Sequence, residues 1–312
     1  MTPVRLGATE IDIAPLVLGG NVFGWTADRA ASFAVLDAFV DAGGTMIDTA
    51  DVYSAWVDGH SGGESETIIG EWLKASGRRD QVLIATKVGM LPGEGGEKLA
   101  PARIAAACDA SLRRLGTDRI DLYYAHQDDD SVPQAEVLDA FARLVEAGKI
   151  RVVGASNFSA MRLKSANESG ASVRYHVLQP EYNLVSRHRY EGELQDWCVE
   201  HNIAVLPYYG LASGFLTGKY RSEGDLTQSV RGGRMRELLA GKGATMLSAM
   251  DAVAAETGAG LAQIALAWLM AQPGVVAPIA SATSVAQLHE LTAAWDLALS
   301  KDQLDRLTAA GA

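Results

Sequence analysis

The chain has 312 residues, 48% hydrophobic and 21% charged, with a net charge of −11 at neutral pH. That length and balance suit a sizeable α/β core, and the acidity excludes nucleic acid and acidic membrane surfaces as partners, because both are held by clustered Lys and Arg. The opening residues, MTPVRLGATEIDIAPLVLGG, lack a charged-then-apolar secretory pattern, and no apolar run reaches the ~20 residues of a membrane span, so a cytoplasmic protein is expected.

Residues 4–13, VRLGATEIDI, place two short β-type runs around Gly7, Ala8 and Thr9, which predicts a hairpin ahead of the main pattern. From Pro15 onward strand-type runs alternate with helical periods: LVLGG then 29–42, TMID then 64–75, VLIATK then 101–115, and IDLYYAH then 134–147. The alternation continues with IRVVGAS then 159–168, VLQPEYN then 187–201, and IAVLPYY. Beyond a longer irregular interval come helical stretches over 244–256 and 261–271, the strand VVAPI, and a last helix over 284–297. Cys108 and Cys198 lie far apart among helix-type residues and are expected to be isolated buried thiols.

Eight such units with no break in composition predict a closed parallel barrel, a (β/α)8 TIM barrel formed as one domain over 1–312, with the hairpin closing the bottom. An open, doubly wound sheet is the alternative. Against it, GGNVFGW after the first barrel strand lacks the GxGxxG spacing of a dinucleotide fingerprint. Residues 221–243, polar and interrupted by glycine, predict a mobile loop that folds over the rim onto a ligand.

In a barrel of this kind chemistry sits where strands end, and that is where the polar residues fall. The apolar run opening TMIDTADVYS ends in Asp48, and Tyr53 follows five positions later. A carboxylate inside a strand end is costly to bury alone, and Lys87 closes the similar run VLIATK, while His126 closes IDLYYAH. An ammonium beside a phenol favours phenolate and is expected to draw the tyrosine down from ~10 toward the working pH, which makes Tyr53 the candidate general acid. Ser156 and Asn157 end the fifth barrel strand, Gln179 the sixth and Tyr208 the seventh. Singly, each has a bland explanation: Asp48 as a cap, His126 as a satisfied core histidine, Lys87 as a counter-charge. Their shared phase with the strands favours a site.

The motifs DTADVY from Asp48 to Tyr53, IATKVG around Lys87, DLYYAH ending in His126, GASNFS around Asn157, QPEYNL from Gln179 and YYGLASGFLTGKY from Tyr208 occur in an order that resembles the aldo-keto reductase family over nearly the whole chain. The resemblance implies an NAD(P)H-dependent reductase of aldehydes or ketones with a catalytic tetrad of Asp48, Tyr53, Lys87 and His126. A nicotinamide cofactor would lie across the barrel mouth, its carboxamide held by Ser156, Asn157 and Gln179 and its ring stacked on Tyr208. The diphosphate would meet Leu211 and Ser213, with Lys219 as a helper. A nucleotide-binding regulatory subunit with little turnover is the alternative from another class.

The GK tail of GLASGFLTGKY invites a phosphate-loop reading, which fails because Tyr220 stands where Ser or Thr would hold magnesium. In the family a basic residue commonly follows the last strand and pairs with the 2′-phosphate of NADP. Here the run is PIASATSVAQL, with Ser281, Ala282 and Thr283 and no cation; Gln287 and Glu290 match adenine-side positions, and Leu291 replaces the usual Asn. NADP(H) is still expected over NAD(H), with weak discrimination unless Arg231 or Arg234 of the 221–243 loop reaches the phosphate. Asp128, Asp129 and Asp130 suggest a solvated loop rather than a metal site, since three consecutive acids cannot all face one ion. Trp25, Trp56 and Phe23 fall in rim loops, where Trp25 and Trp56 are the candidate walls for a small carbonyl substrate.

Overall fold

The chain opens with the expected hairpin. β1 (Val4–Arg5) and β2 (Asp12–Ile13) pair antiparallel, Val4 opposite Ile13. Their turn presses on the chain near residue 202: Gly7 has φ 56°, and a Cβ there would lie 2.7 Å from the Asn202 carbonyl oxygen. Ala8 donates its N–H to that same oxygen at 3.0 Å.

Eight parallel strands follow, β3 (Val17–Gly19), β4 (Met46–Asp48), β5 (Leu83–Val88), β6 (Ile120–Ala125), β7 (Ile150–Ser156), β8 (Val177–Gln179), β9 (Ala204–Val205) and β10 (Ile279–Ala280). They run in the order β10-β3-β4-β5-β6-β7-β8-β9, and the two ends join. Val205 bridges Val275 in parallel, the Val276 N–H donates to the Val205 carbonyl at 2.9 Å, and the Ile279 N–H donates to the Pro207 carbonyl at 2.8 Å. The sheet is thus a (β/α)8 barrel, and the open alternative is excluded. The computed structural model describes residues 1–228 and 232–311, without the side chains of residues 232 and 234.

Period-two alternation divides the apolar residues into two cores. Val17, Met46, Ala85, Leu122, Tyr124, Val152, Val177 and Ala204 face the barrel axis, and Leu6, Ile11 and Ile13 of the hairpin segment join them from below. Leu18, Ile47, Ile84, Tyr123, Val153, Leu178 and Val205 face outward against the helices. These are α1 (Arg29–Asp41), α2 (Glu64–Ser76), α3 (Pro101–Leu115), α4 (Gln134–Glu146), α5 (Ala160–Asn167), α6 (Glu193–Glu200), α7 (Arg236–Ala240), α8 (Gly243–Thr257), α9 (Leu261–Met270), α10 (Val285–Thr292) and α11 (Lys301–Ala310). No single described helix is long and apolar enough to cross a membrane.

Four elements differ from the sequence expectation. α6 starts at Glu193 rather than residue 187, because Gly192 at φ 92° breaks the path and Arg187 instead forms an ion pair with Glu191. The helix expected over 284–297 ends at Thr292 and continues as a 3-10 turn, Ala293–Asp296. α11 was not anticipated, although Ser300 caps it and Leu307 buries its inner face. The 221–243 interval is not a bare loop: it holds 3-10 turns Glu223–Thr227 and Gly232–Met235 and then α7, it buries Leu226 and Met235, and Arg221 grips Asp251 of α8 through two hydrogen bonds of 2.7 and 2.8 Å.

Candidate active site

Each strand that contributes to the mouth does so by the same parity. Asp48 lies two residues beyond Met46, Lys87 beyond Ala85, His126 beyond Tyr124, and Gln179 beyond Val177, and each first member of these pairs points at the axis. The next inward position is therefore at the C-terminal rim. Two glycines make room there. A Cβ on Gly154 would sit 2.5 Å from the Tyr124 ring, and one on Gly19 would sit 2.5 Å from the Ser281 hydroxyl.

Lys87 is the centre of the constellation. Its Nζ, fully buried, donates to Asp48 Oδ2 at 2.6 Å, to the Thr49 carbonyl at 2.8 Å and to the Tyr53 hydroxyl at 2.8 Å, using all three ammonium hydrogens. Tyr53 in turn donates to Asp48 Oδ2 at 3.3 Å. Burial pulls the Lys87 ammonium down, opposed by Asp48, Asp51 and Glu66. The Tyr53 ring meets the His126 ring edge-on at 6.1 Å.

The phenol is not lowered in the chain by itself. Burial, and after it the Asp48 carboxylate, hold Tyr53 well above its ordinary value despite the nearby ammonium. It therefore carries its proton at neutral pH, as a donor must. Burial and then the Lys87 charge hold His126 well below its usual value, so its imidazole is neutral, and its Nδ1 is buried without a partner among the described residues.

A hydrogen-bonded arc runs from this group round the mouth. Gln179 Nε2 donates to Asp48 Oδ1 at 2.9 Å, the Ser156 hydroxyl to the Gln179 carbonyl at 2.8 Å, and Asn157 Nδ2 to the His126 carbonyl at 3.0 Å and Ser156 Oγ at 3.1 Å. Asn157 adopts φ 59°, a left-handed conformation that asparagine tolerates better than most residues. The Tyr208 hydroxyl donates to Asn157 Oδ1 at 2.8 Å, which pins the half-buried Tyr208 ring. Past Tyr208 the chain turns left-handed through Ala212, Ser213 and Gly214, at φ 47°, 56° and 94°. The partly buried Leu211 closes that turn by accepting the Gly214 N–H at 2.8 Å. Lys219 lies over it: a Cβ on Gly214 would be 3.2 Å from Lys219 Nζ.

The model of the Aldo/keto reductase family matches residues 15–312. The chain belongs to that family. It is 33% identical to Aldo-keto reductase YhdN of Bacillus subtilis, covering 96% of this chain and 88% of that protein. It is 34% identical to an aldo-keto reductase of Schizosaccharomyces pombe whose name carries NADP(+), covering 86% and 79%, and 31% identical to a protein of Arabidopsis thaliana named a probable voltage-gated potassium channel subunit beta, covering 94% and 90%.

In this member of the family the segment after β10 is tied up internally. The Ser281 hydroxyl donates to Asn21 Oδ1 at 2.6 Å, and Thr283 sends both its N–H and its hydroxyl to Gln287 Oε1, at 2.9 and 3.1 Å. Glu290 stands over the start of α9, with Oε1 3.4 Å from where a Cβ on Gly260 would be. Arg231 lies outside the described residues, as does the side chain of Arg234. Trp25 and Trp56 pack edge-on at 5.5 Å, and Trp56 also meets Tyr53 at 6.1 Å. Phe23, in the loop between β3 and α1, is fully buried in the outer core. Asn21 is a rim residue that the sequence reading passed over. It follows the end of β3, so the strand-end rule applied to that strand would have found it.

Proposed function

We propose that this member of the family reduces aldehydes or ketones to alcohols with NADP(H), Tyr53 acting as general acid. The observation that carries the reading is the double contact of Lys87 Nζ, 2.8 Å from the Tyr53 hydroxyl and 2.6 Å from Asp48 Oδ2. Tyr53 holds a proton at the mouth. The fixed ammonium stabilises the phenolate left when that proton is given up, and Asp48 keeps the ammonium in place. The neutral His126, packed against Tyr53, can hydrogen-bond a carbonyl oxygen without adding a competing charge. Trp25 and Trp56 wall the approach.

The residues present suit a nicotinamide dinucleotide. Ser156 and Asn157 spend their donor hydrogens inside the arc, and Ser156 Oγ and Asn157 Oδ1, which already accept from Asn157 and Tyr208, each keep a second lone pair for the N–H groups of a carboxamide. Tyr208 offers a ring face held by its hydroxyl. The left-handed turn at Ala212, Ser213 and Gly214, with Lys219 above it, makes a cradle for a diphosphate. When bound, a reduced nicotinamide would supply the hydride. The relative named with NADP(+) supports the choice of NADP(H), and the tied hydroxyls of Ser281 and Thr283 support weak discrimination between the two nucleotides.

The relative named a potassium channel subunit beta favours a second reading, a nucleotide-holding regulatory subunit. One assay separates the two. Loss of reduced-nicotinamide absorbance with a panel of aldehydes is expected for the reductase; NADPH binding without turnover on any carbonyl is expected for the regulatory subunit.

A further inference from the structure

Below the mouth lies a buried charged group that the reaction just described does not use. Asp51, two residues before Tyr53, is fully buried. Its Oδ2 is 3.4 Å from Arg103 of α3, and its Oδ1 has no partner among the described residues. Arg103 is itself almost wholly buried, and its guanidinium reaches three acceptors: the Leu91 carbonyl through Nε at 3.1 Å, the Glu94 carbonyl at 3.3 Å and the Asp51 carboxylate. One side chain thus ties the segment carrying Tyr53 to the loop that follows β5, the strand of Lys87.

That segment has other tethers, among them Thr49, whose hydroxyl meets Ser65 Oγ at 2.8 Å and whose carbonyl accepts from Lys87. Thr49 donates its N–H to the Ala85 carbonyl at 2.8 Å and Asp51 to the Lys87 carbonyl at 3.3 Å, prolonging the pairing of β4 with β5 past its last strand residue. Ser54, at φ 71°, turns the chain away and donates its hydroxyl to the Phe23 carbonyl. Between those anchors the Asp51 side chain binds the segment downward through Arg103, as Lys87 binds it through the Tyr53 hydroxyl.

We propose that the carboxylate of Asp51, clasped by Arg103, positions Tyr53 for proton donation, a role that rests on the reductase reading. An ion pair this deep is costly to form and strongly directional once formed. The carboxyl is raised from 3.8 to about 7, first by burial and then by Glu66, against Arg103 and Arg114. The groups that face it are Glu66 from α2, Lys87 from β5, Arg103 and Arg114 from α3 and Tyr123 from β6. Glu66 is bound by Thr86 and Arg114 at 2.6 Å each, which fixes its side chain in place. Asp51 therefore changes charge near neutrality. The charged form pairs with Arg103 and holds the segment; the neutral form holds it weakly.

The test is the pH dependence of single-turnover carbonyl reduction by the NADPH-loaded enzyme. In the wild type the rate rises with pH through a midpoint near 7. Asp51→Asn, a stand-in for the neutral carboxyl, loses that rise: it matches the wild type a unit below the midpoint and falls ten- to a hundredfold short above it, the scale expected of a misplaced reacting group. Arg103→Met removes the clasp and so also loses the rise, while the Asp51 carboxyl, followed by its infrared band, titrates at a higher midpoint than in the wild type, a shift that a purely structural loss cannot produce. A wild type with no rise there, or an Asp51→Asn enzyme that keeps it, overturns the proposal. A readout needing no substrate separates this failure from failure of the reductase reading. The protonated-carboxyl C=O infrared band of the wild type should vanish as pH passes the same midpoint, and its persistence or absence on both sides overturns the proposal even if no carbonyl is turned over.

Discussion

Gln179 donates its Nε2 hydrogen to Asp48 Oδ1 across the barrel mouth, at 2.9 Å and 131 positions along the chain. With Lys87 on Oδ2, this contact satisfies both oxygens of a carboxylate that is 2% exposed. It also joins the proton-donating side of the mouth to the nucleotide side.

Gln179→Leu is accordingly expected to cost both stability and turnover. A hydrogen bond to a charged, buried group is worth roughly 1.5 to 3 kcal/mol, and its loss leaves one Asp48 oxygen bare. Denaturant unfolding should report a loss of that size, and turnover should fall by about one to two decades through the displaced ammonium. An unchanged unfolding midpoint would place the Asp48 oxygen in contact with solvent.

Tyr53→Phe removes the proton donor and leaves the arc from Ser156 to Lys219 intact. Turnover is expected to fall by about 10² to 10⁴ while NADPH affinity, measured by fluorescence titration, stays within about twofold. Lys87→Met goes further, because it strands Asp48: roughly 3 to 5 kcal/mol of stability should be lost, together with turnover. Near-native turnover in Tyr53→Phe would move the acid elsewhere.

Two buried groups should tilt the stability of the fold against pH in opposite senses. The folded Asp51 carboxyl, raised from 3.8 to about 7, keeps a proton that the unfolded chain has released, so stability falls as pH rises between those values. His126 is lowered well below 6.5, so the unfolded chain takes up a proton that the folded one refuses, and stability falls as pH drops below 6.5. Each slope is at most about 1.4 kcal/mol per pH unit. Denaturant unfolding across this window should therefore show Asp51→Asn gaining stability with rising pH and His126→Gln losing it, with the wild type between them.

Nucleotide preference follows from the tied segment after β10. A charge-assisted bond to a 2′-phosphate is worth roughly 1.5 to 3 kcal/mol, about one to two decades, and Ser281, Ala282 and Thr283 supply no cation. Titration with both reduced nucleotides should favour NADPH by less than about a hundredfold. A larger preference would assign the phosphate to a basic residue elsewhere, and Arg231→Ala and Arg234→Ala would show whether the 221–243 segment carries it.

The barrel and the identities at its rim were legible in the sequence for one physical reason. Inward and outward residues alternate with a period of two and helices punctuate the strands, so a polar residue ending an apolar run has to lie at the rim with its neighbours' counterparts; Asp48, Lys87, His126 and Gln179 were found this way. α11 was legible too, from Ser300 and its Gln303 partner, and was passed over. What only the tertiary structure decided is which groups meet. That Gln179 serves Asp48, that Arg103 clasps Asp51, that Ser281 spends its hydroxyl on Asn21, and that burial outweighs the Lys87 ammonium in holding the Tyr53 proton all depend on how the strands and helices pack, the first and third on barrel closure itself. Closure brings residues from strands distant in sequence within hydrogen-bond distance and removes the water that would otherwise screen them, and neither effect is written in the spacing along the chain.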